Sequence, residues 1–194
     1  VMVIFSFNAS KVGYQWGGLS LTWYRELLTN PALIQTAWHS VLLAVVAATV
    51  TTVIGGLTAL SFQRYDFKGK SVLQSLLFVL MMSPEIVLAI SLLALFLILG
   101  LQLGFMTLLI AHITFCLPFV VITVSARLSS LDNQLLEAAR DLGASELTMI
   151  RTVLMPIIMP AILAGWVLAF TLSLDDVVVS TFVTGPEFEI LPLQ

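Results

Sequence analysis

The sequence predicts an all-α membrane protein, a polytopic bundle of transmembrane helices. Three observations carry that class. Of the 194 residues, 59% are hydrophobic and 10% charged, with a mean hydropathy of +1.07, whereas a soluble domain carries about 25% charged residues. The apolar residues fall into runs of about the 20 residues that cross roughly 30 Å of hydrocarbon. The charges, few as they are, concentrate between those runs. The net charge of −3 says little beside this placement. Cys116 is the single cysteine, so no disulfide forms within the chain.

In order along the chain, "VMVIFSF" reads as the tail of an apolar helix, so the chain is expected to be clipped at its start. Residues 8–35 mix Gly, Asn and Pro with the interfacial aromatics Tyr14, Trp16 and Trp23, which predicts a loop with a short amphipathic helix around Leu21–Thr29. Spans are expected at about 37–61, 72–99, 105–124 and 153–174, within a single transmembrane domain over 1–194. No closing apolar helix follows "DDVVVSTFVTGPEFEILPLQ", so truncation is expected at that end too.

Lys and Arg stay on the cytoplasmic side of short loops. Arg64, Lys68 and Lys70 lie in the turn 63–70, and Arg127, Arg140 and Arg151 in the segment 127–151; together they are six of the eight basic residues. Two spans separate the two segments, so both fall on one face. That face is cytoplasmic, and the stretch after Asp176 faces outward.

The segment 127–151 has internal order. Leu131, Leu135, Leu136, Ala139 and Leu142 recur at helical spacing, with Asp132, Glu137, Arg140 and Asp141 on the other faces. Gly143 stands where a helix ends in a left-handed residue, and Ser145 is placed to cap a second helix. The pattern is a helix, a glycine turn and a helix. On pattern alone, an amphipathic hairpin resting on the bilayer and a docking element for another protein are equal readings; Ala138 and Ala139 beside the turn favour close approach of a partner.

"EAARDLGASELTMIRTVLMP" resembles the cytoplasmic signature of bacterial ABC-importer permeases: Glu137, Ala138 and Ala139 match, Gly143 falls at the right spacing and Pro156 closes it, with Val153 and Met155 in place of the usual Ile and Leu. "MMSPEIVLAISLL", "HITFCLPFVV", "AGWVLAFTLSLDDVVVSTFVTGP" and "EILPL" extend the resemblance over nearly the whole chain, to the second permease subunit of importers of the spermidine/putrescine type. The resemblance implies the type I ABC importer permease fold, of which this chain lacks the first and sixth spans. It implies an inner-membrane location and a polyamine path shared with a second homologous permease subunit. It also implies a cytoplasmic ATP-binding subunit dimer coupled through Glu137, Ala138, Ala139 and Gly143, and a periplasmic polyamine-binding protein. ATP and Mg are used by the ATPase partner, no cofactor is bound by this chain, and its surroundings are lipid rather than nucleic acid.

The residues themselves point the same way. "FKGKS" carries Gly69, Lys70 and Ser71 in phosphate-loop order, but Arg64 stands where the first glycine is required, so the chain has no means of using ATP itself. Glu85 lies mid-run in the second apolar stretch, where a charge costs about 2.5–3.5 kcal/mol on insertion scales. It follows Pro84, and the alternative to a pathway role is a carboxyl satisfying backbone groups freed by that proline. Asp175 and Asp176 end the fourth span, and no Lys or Arg follows Thr152. Glu85 and Asp175, with Asp176 as neighbour, are therefore the candidate substrate path, since spaced carboxylates pair with the separated ammonium groups of a polyamine.

No catalytic or metal-binding constellation emerges. His39 and His112 lack metal spacing and read as packing residues, and Cys116 reads as core. Trp166 and Phe170 can supply cation–π contacts but are more simply packing residues. Pro156 and Pro160 are either helix-entry geometry or a hinge. Two readings of other classes remain open on the residues alone. An ion-coupled cation carrier or channel leaves the 127–151 helices unused. A non-transporting scaffold leaves Glu85 without a role.

Overall fold

The computed structural model describes residues 5–10, 15–131, 133–185, 188 and 190–193; the side chains of Leu28, Asn133, Leu136, Ala138, Arg140 and Leu193 stand outside that description. Tyr14, Asp132 and the first four residues of the opening run also lie outside the described residues. The described chain is helical throughout, and its only β-pairings are isolated bridges joining Asn8 to Leu19 and Gly185 to Phe188.

Helix α1, Thr22–Thr29, is the short amphipathic helix of the entry loop. It stops at Asn30-Pro31, where the Asn30 side chain accepts from Ala32 N at 3.1 Å and caps the next helix, with Pro31 at a first-turn position that needs no donor. Helix α2, Pro31–Arg64, is 34 residues long, and at 1.5 Å per residue it outreaches the expected span at both ends. Most of its buried positions are small: Ala44, Ala47, Ala48, Thr51, Thr52, Gly55 and Ala59 recur along the helix, with Leu43 and Phe62 the large exceptions. That stripe lets two backbones approach closely, the packing that works where lipid removes the hydrophobic drive between helices. Helix α5, Phe105–Ser129, sets Val120 against both Gly55 and Gly165 of its neighbours. α2, α5 and the last long helix, α7, Glu146–Asp175, form the core trio, with Phe62, Cys116, Val121, Val124, Leu154, Ile158 and Ala169 between them.

The expected continuous span at 72–99 is two helices, α3, Lys70–Met82, and α4, Glu85–Ile98, whose axes bend by 113° at Ser83-Pro84. Proline has no N–H and forces the residue before it out of the helical region, and Ser83 is extended at φ −69°, ψ 136°. Among the described residues, three helices are long and apolar enough to cross a membrane, or four where the bent pair counts as one. α4 turns inward and buries Ala89, Leu92 and Phe96 against Leu43, Leu108, Ala111, Val179 and Val183, a second cluster at the end of the bundle away from Arg64. α3 keeps no residue buried.

Helix α6, Asn133–Asp141, closes at Gly143, whose φ of 81° is left-handed. Ser145 accepts from Thr148 N at 3.3 Å and caps the next helix. That helix does not stop at the membrane: α7 runs Glu146–Asp175 as one 30-residue element. A π-turn at Ile150–Leu154, in which Met155 N bonds Ile150 O, carries it past Pro156 and Pro160, which lack donors. The second helix of the cytoplasmic pair and the fourth span are thus continuous. Short helix α8, Val178–Val183, follows a break at Asp176-Val177. The two basic segments lie at one end of the bundle, since Arg64 Nη2 lies 3.4 Å from Glu146 Oε1 and ties the 63–70 turn to the start of α7.

Candidate functional site

The two helix breaks meet. α4 packs against α8, which brings Glu85, the first residue after one break, to Asp176, the residue at the other. The two carboxyls come close enough for each to feel the other's charge. Like charges at that range repel strongly, and either a shared proton or a cation relieves them.

Asp176 is buried and its partners are supplied by its own chain turn. Oδ1 accepts from Val179 N at 3.1 Å, and Oδ2 from Ser180 N at 2.8 Å and Ser180 Oγ at 2.7 Å. This is helix capping: a carboxylate takes up the first N–H groups of α8, which have no carbonyl of their own to bond. Oδ2 also faces His112 Nε2 of α5 at 3.4 Å. The imidazole is held at both nitrogens, with Ser173 Oγ 2.6 Å from Nδ1 and Ser180 Oγ 3.0 Å from Nε2.

Asp175 takes no part in this cluster. As the last residue of α7 it is exposed, while Asp176 turns inward. The expectation that both aspartates lack local compensation therefore fails for Asp176, whose compensation is hydrogen bonding rather than a Lys or Arg. His112 is seven residues into α5, roughly 10 Å from its start at the helical rise, and Asp176 lies beside it. Glu85 stands at a helix start rather than within a continuous span, half-buried after Pro84. His112, Ser173 and Ser180 are the residues that sequence reasoning did not select. Their signal was faint: serines three before and four after Asp176, both at helical spacing, and one histidine in an apolar run.

The indole of Trp166 donates to Thr49 Oγ1 at 3.1 Å and stacks on Phe170 with centroids 5.4 Å apart, on α7 well before the break. His39 stacks on Phe188 at 4.4 Å, and Cys116 is buried with Sγ 3.6 Å from Ala169 O.

At the other end of α7, Glu137 is exposed, Ala139 is half-buried and its carbonyl accepts from Ala144 N at 3.1 Å across the Gly143 turn. The side chain of Ala138 lies outside the described residues. Of the apolar stripe, Leu131 packs on the core, but Leu142 is 89% exposed beside Gly143 and Leu135 is also exposed. Leu135 and Leu142 are therefore not spent on packing within the chain.

Residues 51–194 match the family described as the inner membrane component of binding-protein-dependent transport systems. Over all 194 residues the chain is 57% identical to the spermidine/putrescine transport system permease protein PotC of Escherichia coli (strain K12), covering 74% of that protein. It is 53% identical to the PotC protein of Haemophilus influenzae, covering 76% of it. To the putrescine transport system permease protein PotI of Escherichia coli (strain K12) it is 39% identical over 200 aligned residues, covering 71%.

Proposed function

The chain belongs to the family of binding-protein-dependent transport system inner membrane components, and on that premise we propose that it forms part of the polyamine path of an ATP-driven importer. It is a multi-pass inner-membrane permease rather than an enzyme. The cation-carrier alternative has no use for the exposed Leu142 and the Glu137–Gly143 turn, which the importer reading employs.

The observation that carries the substrate assignment is the meeting of Glu85 and Asp176 at two helix breaks. Discontinuous helices put polar backbone and charged side chains together inside a bundle, where a substrate sheds water. A polyamine brings ammonium groups separated by methylenes, so one ammonium sits between the carboxyls while the apolar stem lies along the helices. Binding must stay modest for release to follow. Spermidine and putrescine are the substrates named for the relatives and are the class proposed here.

The partners in this reading are a second homologous permease subunit, a periplasmic polyamine-binding protein and a dimer of ATP-binding subunits that consumes ATP and Mg. The ATP-binding subunit docks at Glu137, Ala138, Ala139 and Gly143, with exposed Leu142 adding apolar surface. The test is spermidine and putrescine uptake by the complete transporter carrying Glu85→Gln or Asp176→Asn. A rise in KM of tenfold or more, or uptake below a tenth of wild type, is expected for each; wild-type uptake by both variants, normally inserted, removes the proposal. Substitution of Gly143 by Val is expected to lose the ATPase subunit on co-purification.

A further inference from the structure

Serine and threonine hydroxyls in these helices commonly turn back on the backbone. Thr171 donates to Val167 O at 2.9 Å, Thr181 to Val177 O at 2.6 Å and Ser91 to Val87 O at 2.7 Å, each four residues back. Ser180 departs from this. Its hydroxyl is 2.7 Å from Asp176 Oδ2, and its oxygen is also 3.0 Å from His112 Nε2.

For a neutral imidazole, one assignment of protons satisfies every contact. The ionised Asp176 carboxylate only accepts, so Ser180 must give it its single proton. The Ser180 oxygen is then left as acceptor, so His112 Nε2 carries the hydrogen that points at it. Nδ1 is bare and accepts from the Ser173 hydroxyl 2.6 Å away. The chain runs Ser173 to His112 to Ser180 to Asp176, with every donor pointing toward the carboxylate.

We propose that His112 is a positioning residue for amine recognition: by donating to Ser180 it keeps that hydroxyl turned onto Asp176 and fixes the carboxylate facing Glu85. This rests on the reading of Glu85 and Asp176 as the amine site. The imidazole adds no formal charge in this role, so the carboxylates keep their attraction for a cation. Without the Nε2–H donor, the Ser180 hydroxyl returns to the carbonyl four residues back, which is that of Asp176 itself. Oδ2 then loses a donor, and the carboxylate is free to swing from Glu85.

The experiment uses the complete transporter in proteoliposomes with spermidine as probe, and compares His112→Asn, His112→Gln and Ser180→Ala. The glutamine amide nitrogen reaches the place of Nε2 and the shorter asparagine does not. Expected are a KM raised about fivefold or more in His112→Asn and Ser180→Ala, maximal rates within twofold of wild type, and a KM within twofold of wild type in His112→Gln. A packing role for His112 predicts instead that the Asn and Gln variants lose folded protein alike with KM unmoved, and that result overturns the inference. If His112→Asn fails to insert, Ser180→Ala decides, and an unchanged KM there overturns it. A raised KM in Glu85→Gln beside unchanged values in His112→Asn and Ser180→Ala leaves the amine site standing without His112. Unchanged KM in both Glu85→Gln and Asp176→Asn removes the amine site and this inference together.

Discussion

Asp176 Oδ2 and His112 Nε2 face each other at 3.4 Å, with their side chains 0% and 1% exposed. One belongs to a helix break and the other to the middle of an unbroken helix, so the contact fixes the break in place against the bundle.

Asp176 and Asp175 are expected to separate sharply on substitution. Asp176→Asn keeps one acceptor but turns an amide N–H₂ toward groups that already donate, which costs about 1–3 kcal/mol for buried donors left without a partner. Asp175→Asn, at an exposed helix end, is expected to stay within about 0.5 kcal/mol. Thermal unfolding of the purified protein in detergent reads the difference.

Gly55 is a tight contact between two long helices. A Cβ there meets Val120 Cγ1 at 2.8 Å, so Gly55→Ala is expected to cost about 1–3 kcal/mol by overpacking. Val120→Ala in the same chain makes room, and the double variant is expected to be more stable than the sum of the singles predicts. Unfolding midpoints of the four proteins complete the cycle.

Pro84 sets the bend that delivers Glu85. In Pro84→Ala the missing N–H returns and Ser83 regains access to helical angles, so α3 and α4 are expected to straighten and carry Glu85 away from Asp176. Uptake is expected to fall at least tenfold while insertion is retained. Spin labels on exposed Val79 and Ile90, either side of the bend, report the change as a longer distance.

The Arg64–Glu146 pair is an orientation marker more than a source of stability. With Glu146 61% exposed at 3.4 Å from Arg64, its coupling energy is expected below about 1 kcal/mol. A double-mutant cycle with Arg64→Gln and Glu146→Gln, read by thermal unfolding at low and high salt, measures it.

Features governed by local chemistry were legible in the sequence. Gly143 takes its left-handed turn and Ser145 its cap because both depend on residues within a few positions. The apolar runs announce the membrane because hydrocarbon tolerates little else. Where the sequence misleads, the deciding contact is remote. Pro84 signals a perturbation, but the size of the bend follows from how α4 packs on α8. Asp175 and Asp176 are equivalent in composition, and only the direction in which the chain leaves α7 turns one to solvent and the other to His112. The π-turn before Pro156 hides for a related reason: a helix that widens by one residue keeps the same apolar pattern as one that ends and restarts.

Val120 touches Gly165 of α7 as well as Gly55 of α2, and that contact divides α7 unequally. Roughly 29 Å of helix runs back to Glu146 and roughly 15 Å runs on to Asp175 at the helical rise. Were α7 to move as a rigid beam about Val120, a push at its Glu146 end would reach Asp175 and Asp176 reversed in direction and at about half its travel. Such gearing exchanges stroke for force, which suits opening a small, tightly bonded site more than swinging a wide gate.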